Sequence, residues 1–293
     1  LEPSTARLSV AQPIARPVPS FQAQVTGRLA SLPWWVLVIL LGASLLVYNF
    51  FTNQTYQEVI KNIYTGVRLT LTVTLFAYSM ALLLGLTTAL GQLSSGVIPR
   101  NLALLYVQVV RGVPILVQIF IVSFVFVPLG VNLVNGLGSQ LARASVLPEV
   151  NPLVSLNVRS IDFVARGIIA LATAYGAFSS EIFRAGIQSI ERGQIDAAKA
   201  IGLTRVQSLR LIILPQAIRR VLPPLGNDFI SMLKDSSLVS VIGVGEITQL
   251  SKKYAAASFR FPETYYTLAF LYLSMTLLLS LGVRSMERRL KTD

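Results

Sequence analysis

Residues 196–215 read DAAKAIGLTRVQSLRLIILP. Local chemistry predicts two short helices here. Asp196 can cap the first, over 197–201, by accepting from free amides of its first turn. Gly202 can close it in the left-handed conformation that a residue without Cβ adopts freely. Thr204 can cap the second, which Pro215 is expected to interrupt because it lacks an amide hydrogen. Two short helices around a glycine also describe a DNA-binding helix-turn-helix. A recognition helix must present polar side chains to base edges, and this one runs into Leu209, Leu211, Ile212, Ile213 and Leu214. The nucleic-acid reading falls.

The flanks decide the fold. A hydrocarbon core about 30 Å thick needs roughly 20 apolar residues at 1.5 Å rise each. Six segments meet that length: 33–51, 68–100, 101–127, 163–187, 221–247 and 264–283. The third is interrupted by Arg111-Gly112-Val113-Pro114, and Trp34 and Trp35 stand as interfacial anchors of the first. Buried helices of a soluble protein would show polar faces, which these lack. The expected architecture is an all-α membrane protein of about six spans. Residues 1–30, with Pro3, Pro13, Pro17 and Pro19, read as a disordered tail. Residues 31–60 hold the first span and its connection, and 61–293 form the main transmembrane domain with a polar loop over 188–220.

Composition agrees. Of 293 residues, 53% are hydrophobic and only 13% charged, with a mean hydropathy of +0.65. No single soluble core buries so much apolar surface. The net charge of +12 and pI near 10.3 reflect topology, because Lys and Arg gather on cytoplasmic segments. Arg184, Arg192, Lys199, Arg205, Arg210, Arg219 and Arg220 fall in or beside the long loop, and Arg284, Arg288, Arg289 and Lys291 at the end. Both termini are therefore expected inside, with Lys252 and Lys253 the main evidence against. The chain has no Cys and no His, which removes disulfides, thiolate chemistry and most zinc sites.

Charges inside spans mark pathways or partners. Glu181, beside Ser180, reads either as a pathway acid that meets a substrate ammonium or as a structural partner of Arg184 or Arg111. Gln118 offers a donor and an acceptor to a ligand or to a neighbouring helix. Gly112 and Pro114 mark a kink or break. Lys234 and Asp235 are adjacent, so each should find a partner elsewhere. A gate or an interfacial salt bridge is the expectation. Asp228 reads as structural.

The loop resembles the EAA loop of bacterial ABC importer permeases: an acid, two alanines, a glycine four residues later and I-x-L-P, here Asp196, Ala197, Ala198, Gly202, Ile212, Leu214 and Pro215. Asp stands where that family usually has Glu. RGVPILVQIF (111–120), AYGAFSSEIFRAGIQSI (174–190) and NDFISMLKDSSLVSVIG (227–243) are similar to its polar amino-acid branch, and the likeness covers about residues 65–291. The resemblance implies a five-helix type I importer core to which this chain adds one N-terminal span. It implies a coupling helix in which Asp196, Ala197, Ala198, Gly202 and Leu203 engage an ATPase subunit; the polar residues Glu181, Gln118 and Ser180 inside the spans are the candidates for the pathway. Arg111, Lys234 and Asp235 remain gate or structural charges. The implied partners are two ATP-binding subunits, a second permease subunit (the same or a related chain), a periplasmic amino-acid-binding protein, an amino-acid substrate and the lipid bilayer of the bacterial inner membrane. ATP and Mg would be bound by the partner subunits. The chain has no G-x-x-x-x-G-K-[ST] loop, so it is expected to hold no cofactor or metal and to hydrolyse nothing. An ion-gradient-driven secondary transporter of small polar solutes is the alternative, but its inverted repeats are missing. A Ser–Lys enzyme built on Lys234 and Ser236 and a plain membrane anchor leave the loop unexplained.

Overall fold

In a computed structural model of the chain, residues 34–144, 146, 148 and 153–291 are described. The expected tail over 1–30 lies outside them. Every regular element among them is helical, as the apolar periods require. The chain divides into two units, 1–47 and 48–293. The described part of the first is the start of helix α1, Trp34–Thr52, which carries no charge and buries no residue.

The second unit continues with α2 (Gln54–Ile63), α3 (Thr65–Leu93), α4 (Val97–Gly112) and α5 (Ile115–Ile121). A π-helical turn, Val122–Phe126, joins α5 to α6 (Val127–Arg143). Next come α7 (Phe163–Gln188), α8 (Arg192–Ala200) and α9 (Arg205–Ser208). A second π turn, Leu209–Ile213, leads into α10 (Leu214–Asp235), and a 3-10 segment, Ser236–Ile242, follows. Helices α11 (Ile247–Ser258) and α12 (Phe261–Lys291) complete the chain.

Among the described residues, five helices are long and apolar enough to cross a membrane: Trp34–Thr52, Gln54–Leu93, Ile115–Arg143, Phe163–Gln188 and Phe261–Arg289. The expected third span, 101–127, is divided. The helix stops at Gly112 and restarts at Ile115, because Pro114 cannot donate and Val113 before it is extended at φ −109°, ψ 134°. Beyond the break the helix runs on to Arg143, so the first half of the expected 128–162 loop is helical. The expected span 221–247 is not one apolar helix. Asp235 ends α10, a tighter helix follows, and Gly243 at φ +89° closes it.

Small residues bring the central helices together. On α3, Gly66, Thr70, Val73, Ala77, Ala81, Gly85, Ala89 and Gln92 form a buried stripe at helical spacing. It packs on Gly167, Ala170, Ala174, Ser179 and their neighbours of α7. A Cβ built on Gly85 would lie 2.9 Å from that of Ser179, so glycine sets the approach. Van der Waals packing of small residues is what associates helices where the surrounding solvent is as apolar as leucine.

Two π turns absorb two prolines. Val127 donates to Val122 and Leu214 to Leu209, five residues back in each case. Pro128 and Pro215 follow one residue later. The widened turn relieves the clash of a proline ring with the preceding turn. Pro215 therefore does not interrupt the second helix of the 196–215 stretch, which runs helically from Arg205 to Asp235.

Candidate functional site

The elbow begins five residues earlier than its sequence suggests. Glu191 is extended, at φ −61° and ψ 133°, and α8 starts at Arg192. Asp196 therefore lies inside the helix and caps nothing. Its carboxylate pairs with Lys199 at 3.0 Å on the exposed side. The other end is as expected. Gly202 sits at φ +80°, its N–H donates to Lys199 (2.9 Å), and the Leu203 N–H donates to Ala198 (3.1 Å). These are the two bonds of a Schellman closure.

Thr204 then caps the next helix reciprocally. Its Oγ1 accepts from the Gln207 N–H at 3.3 Å, and its own N–H donates to Gln207 Oε1 at 2.9 Å. This is a capping box. The Thr-x-x-Gln spacing was present in the sequence, although only Thr204 was identified from it. The two alanines face opposite ways: Ala198 is 1% exposed, while Ala197 is open. Ile201, one turn on from Ala197, and Val206 on the next helix are exposed as well. The elbow thus holds itself together through Ala198 and leaves these small and apolar side chains open.

A charged cleft of about 310 Å³ opens between α3, α4 and α7, lined by Gln92, Arg100, Leu104, Gln108, Arg111, Glu181, Arg184 and Gln188. A second, of about 540 Å³, is lined by Arg111, Glu181, Ile182, Ala185, Gly186, Ser189, Arg220 and Pro224. Arg111 and Glu181 border both. Glu181 accepts from Arg184 at 2.5 and 3.3 Å, and Arg184 also donates to Gln188 at 2.8 Å. The Arg111 guanidinium lies 5.8 Å from the centre of the Phe178 ring. A pair one turn apart on a helix contributes about 0.5 kcal/mol. An ion at mid-span would cost roughly 2.5–3.5 kcal/mol; Glu181 and Arg184 lie within about two turns of the end of α7, where the polar cleft adds to what the pair alone supplies. Volumes of this size suit a small polar ligand.

The other expected pathway residues do not line either cleft. Ser180 is fully buried, donates to the Ala177 carbonyl at 2.7 Å and accepts from Gln92 at 3.3 Å. Gln118 bridges the α4–α5 break, its amide donating to the Val110 and Val113 carbonyls at 2.7 Å each. It satisfies the backbone that Pro114 set free and leaves its own Oε1 buried without a partner. Asp235 accepts from Tyr175 at 2.7 Å, and Asp228 from Ser179 at 2.9 Å. Lys234 is exposed and makes no ion pair with a described residue.

Three features went unread in the sequence. Arg100, Gln92 and Gln108 complete the cleft from α3 and α4, and only the crossing of those helices on α7 assembles them. The Arg220 guanidinium donates to the Ser189 carbonyl, tying α10 to the end of α7. Glu246 is wholly buried and caps α11, accepting from Thr248 N–H (2.8 Å), Gln249 N–H (2.9 Å) and the Tyr272 hydroxyl (3.0 Å). Its signal was a lone acid after Gly243-Val244-Gly245, just before a polar helix. Among the described residues, no group of three or more His, Cys, Asp or Glu side chains could hold a metal.

Over residues 77–292 the sequence matches the family described as binding-protein-dependent transport system inner membrane component. It is 34% identical over 226 residues to the glutamine transport system permease protein GlnP of Escherichia coli (strain K12), covering 77% of this chain and 91% of that one. It is also 34% identical over 226 residues to the L-cystine transport system permease protein TcyB of Bacillus subtilis (strain 168), covering 77% and 85%. Against the crystal structure of an amino acid ABC transporter with histidines, the TM-score is 0.63 at 34% identity, covering 82% of this chain and 98% of that one. An inward-facing MetNI methionine ABC transporter shares the fold, with a TM-score of 0.53 at 14% identity over 82% of this chain and 99% of that one.

Proposed function

This chain belongs to the family of inner membrane components of binding-protein-dependent transport systems, and we propose that it is the permease subunit through which an ATP-driven importer moves amino acids. Its elbow receives the motion of a separate ATPase subunit. The observation that carries the coupling role is the geometry of 192–208. A helix closed by Gly202 at φ +80° meets a second one through a capping box, and Ala197, Ile201 and Val206 are left uncovered. Small and apolar side chains on a stiff corner can seat in a partner's groove and pass a rigid-body displacement to α10.

The relatives named for glutamine and L-cystine support an amino-acid substrate. The cleft beside Glu181 supplies charges of both signs, Arg111 and Arg100 for a carboxylate and Glu181 for an ammonium. We further propose cytoplasmic termini, on the strength of the Lys and Arg residues gathered in the long loop and near residue 290. A second permease subunit completes the pathway, an external binding protein delivers the substrate, and ATP and Mg stay with the ATPase. An ion-gradient carrier has no use for the elbow.

The chain has no cysteine, which makes the test clean. A197C and I201C, each placed singly, should crosslink to an ATPase subunit in the assembled transporter. If the ATPase copurifies while neither position crosslinks, the coupling role is lost.

A further inference from the structure

Helix α12 carries a surface that neither the elbow nor the cleft uses. Residues 264–283 hold no charge, with Glu263 before them and Arg284 after. At 1.5 Å per residue that stretch spans about 30 Å, the thickness of the hydrocarbon core. Arg284 therefore stands at headgroup depth, and Arg289 about 7 Å beyond it. Leu277, Leu278 and Leu281 are 49%, 70% and 62% exposed. In a bilayer this stripe faces acyl chains. It runs at helical spacing into Arg284, Ser285, Arg288 and Arg289, so the face that meets lipid tails becomes cationic where their phosphates begin.

Arg284, Ser285 and Arg289 are exposed and make no ion pair or side-chain hydrogen bond with a described residue. Gly282, Ser285, Met286 and Arg289 border a concavity of about 410 Å³. Basic side chains near a helix C-terminus also offset the helix dipole, but that effect fades within the last turn. Arg284 lies two turns before Lys291, so the dipole does not account for it.

We infer that Ser285 and Arg289, one turn apart at this concavity, form a headgroup site for an anionic phospholipid in the leaflet at the C-terminal end of α12, with Arg284 on the adjoining face adding its charge to the same field. The Arg289 guanidinium fork binds the phosphate diester, and the serine hydroxyl donates to it or to the glycerol. The leucine stripe holds the chains. Net negative lipid is selected because a choline or ethanolamine group would bring its own cation against the arginines.

The test uses the purified transporter in vesicles of phosphatidylcholine doped with spin-labelled phosphatidylglycerol or spin-labelled phosphatidylcholine. The motionally restricted fraction of each label is read by electron paramagnetic resonance. The wild-type protein should hold phosphatidylglycerol preferentially, and R284Q/R289Q should lower that preference by roughly 25-fold at low salt, since each surface arginine contributes about a fivefold bias. R284K/R289K should keep most of it, and 0.5 M KCl should weaken it. K61Q/K253Q removes the same charge elsewhere and should leave it unchanged. Equal retention of both lipids by the wild type would overturn the inference. So would a preference that survives R284Q/R289Q, or one lost equally in K61Q/K253Q.

Discussion

Glu181 and Arg184, one helical turn apart on α7, meet at 2.5 Å where two clefts adjoin. Their side chains are 26% and 33% exposed, so the pair is neither sealed in the core nor free on the surface. It can open toward a ligand without either charge entering lipid.

Glu181→Gln keeps the shape and removes the ion pair. As a helix pair it contributes only about 0.5 kcal/mol, so the melting temperature should fall by no more than ~2 °C. Substrate uptake by the reconstituted transporter should fall at least about tenfold, the effect of losing roughly 1.4 kcal/mol of ligand interaction. Normal uptake would leave the pair a structural one.

Gly202→Val forces a β-branched residue to φ +80°, at a cost of about 1–2 kcal/mol or more. The Schellman bonds from Gly202 and Leu203 should weaken, and amide exchange over 198–208 should accelerate while α3 and α7 stay protected. Gly202→Asn should be milder, because asparagine tolerates the left-handed region.

The two alanines should separate structure from coupling. Ala198→Leu overpacks a buried position at about 1–3 kcal/mol and should expose the elbow to proteolysis. Ala197→Glu projects outward and should leave protease resistance intact. It should uncouple ATP hydrolysis from uptake, or cost the complex its ATPase, in a pull-down. Equal effects of both substitutions on proteolysis would contradict the opposite facing of these side chains.

Gln118→Leu is close in volume but cannot donate to the Val110 and Val113 carbonyls. Two lost bonds at about 1 kcal/mol each, plus the cost of leaving the Val113 carbonyl unpaired while Val110 keeps the Val113 N–H, should lower stability by roughly 2–4 kcal/mol in thermal unfolding. Gln118→Glu should be no better, since an ionised carboxylate repels both carbonyls. A neutral outcome would show that water satisfies the break equally well.

Glu246→Ala removes a buried helix cap, worth about 0.5–2 kcal/mol, and leaves the Tyr272 hydroxyl with Thr248 Oγ1 alone. The loss should concentrate on α11, read as faster amide exchange over 247–258. Even loss across the whole chain would mean that Glu246 does more than cap one helix.

Much of the molecule is legible in one dimension. Apolar length forces spans, because lipid leaves no partner for an unbonded backbone group. Gly202 and Thr204 could be placed because a helix end must satisfy its free amides and carbonyls within a few residues. The same local logic misplaced Asp196 as a cap and Pro215 as a break. Each was a permitted local solution, and packing took another. The backbone instead turned helical after Glu191, and a π turn over 209–213 absorbed the proline.

The sequence by itself determined that the chain is helical and membrane-embedded, and where its elbow bends, since these follow from neighbours along the chain. Only the tertiary structure decided which charges share a cleft. Gln92, Arg100, Arg111 and Glu181 come from three helices, and their meeting depends on how closely small residues let α3 and α7 approach. It decided too that Gln118 serves the backbone and that Ala198 faces inward. A side chain's partner is set by distances across space, and a linear pattern does not encode them.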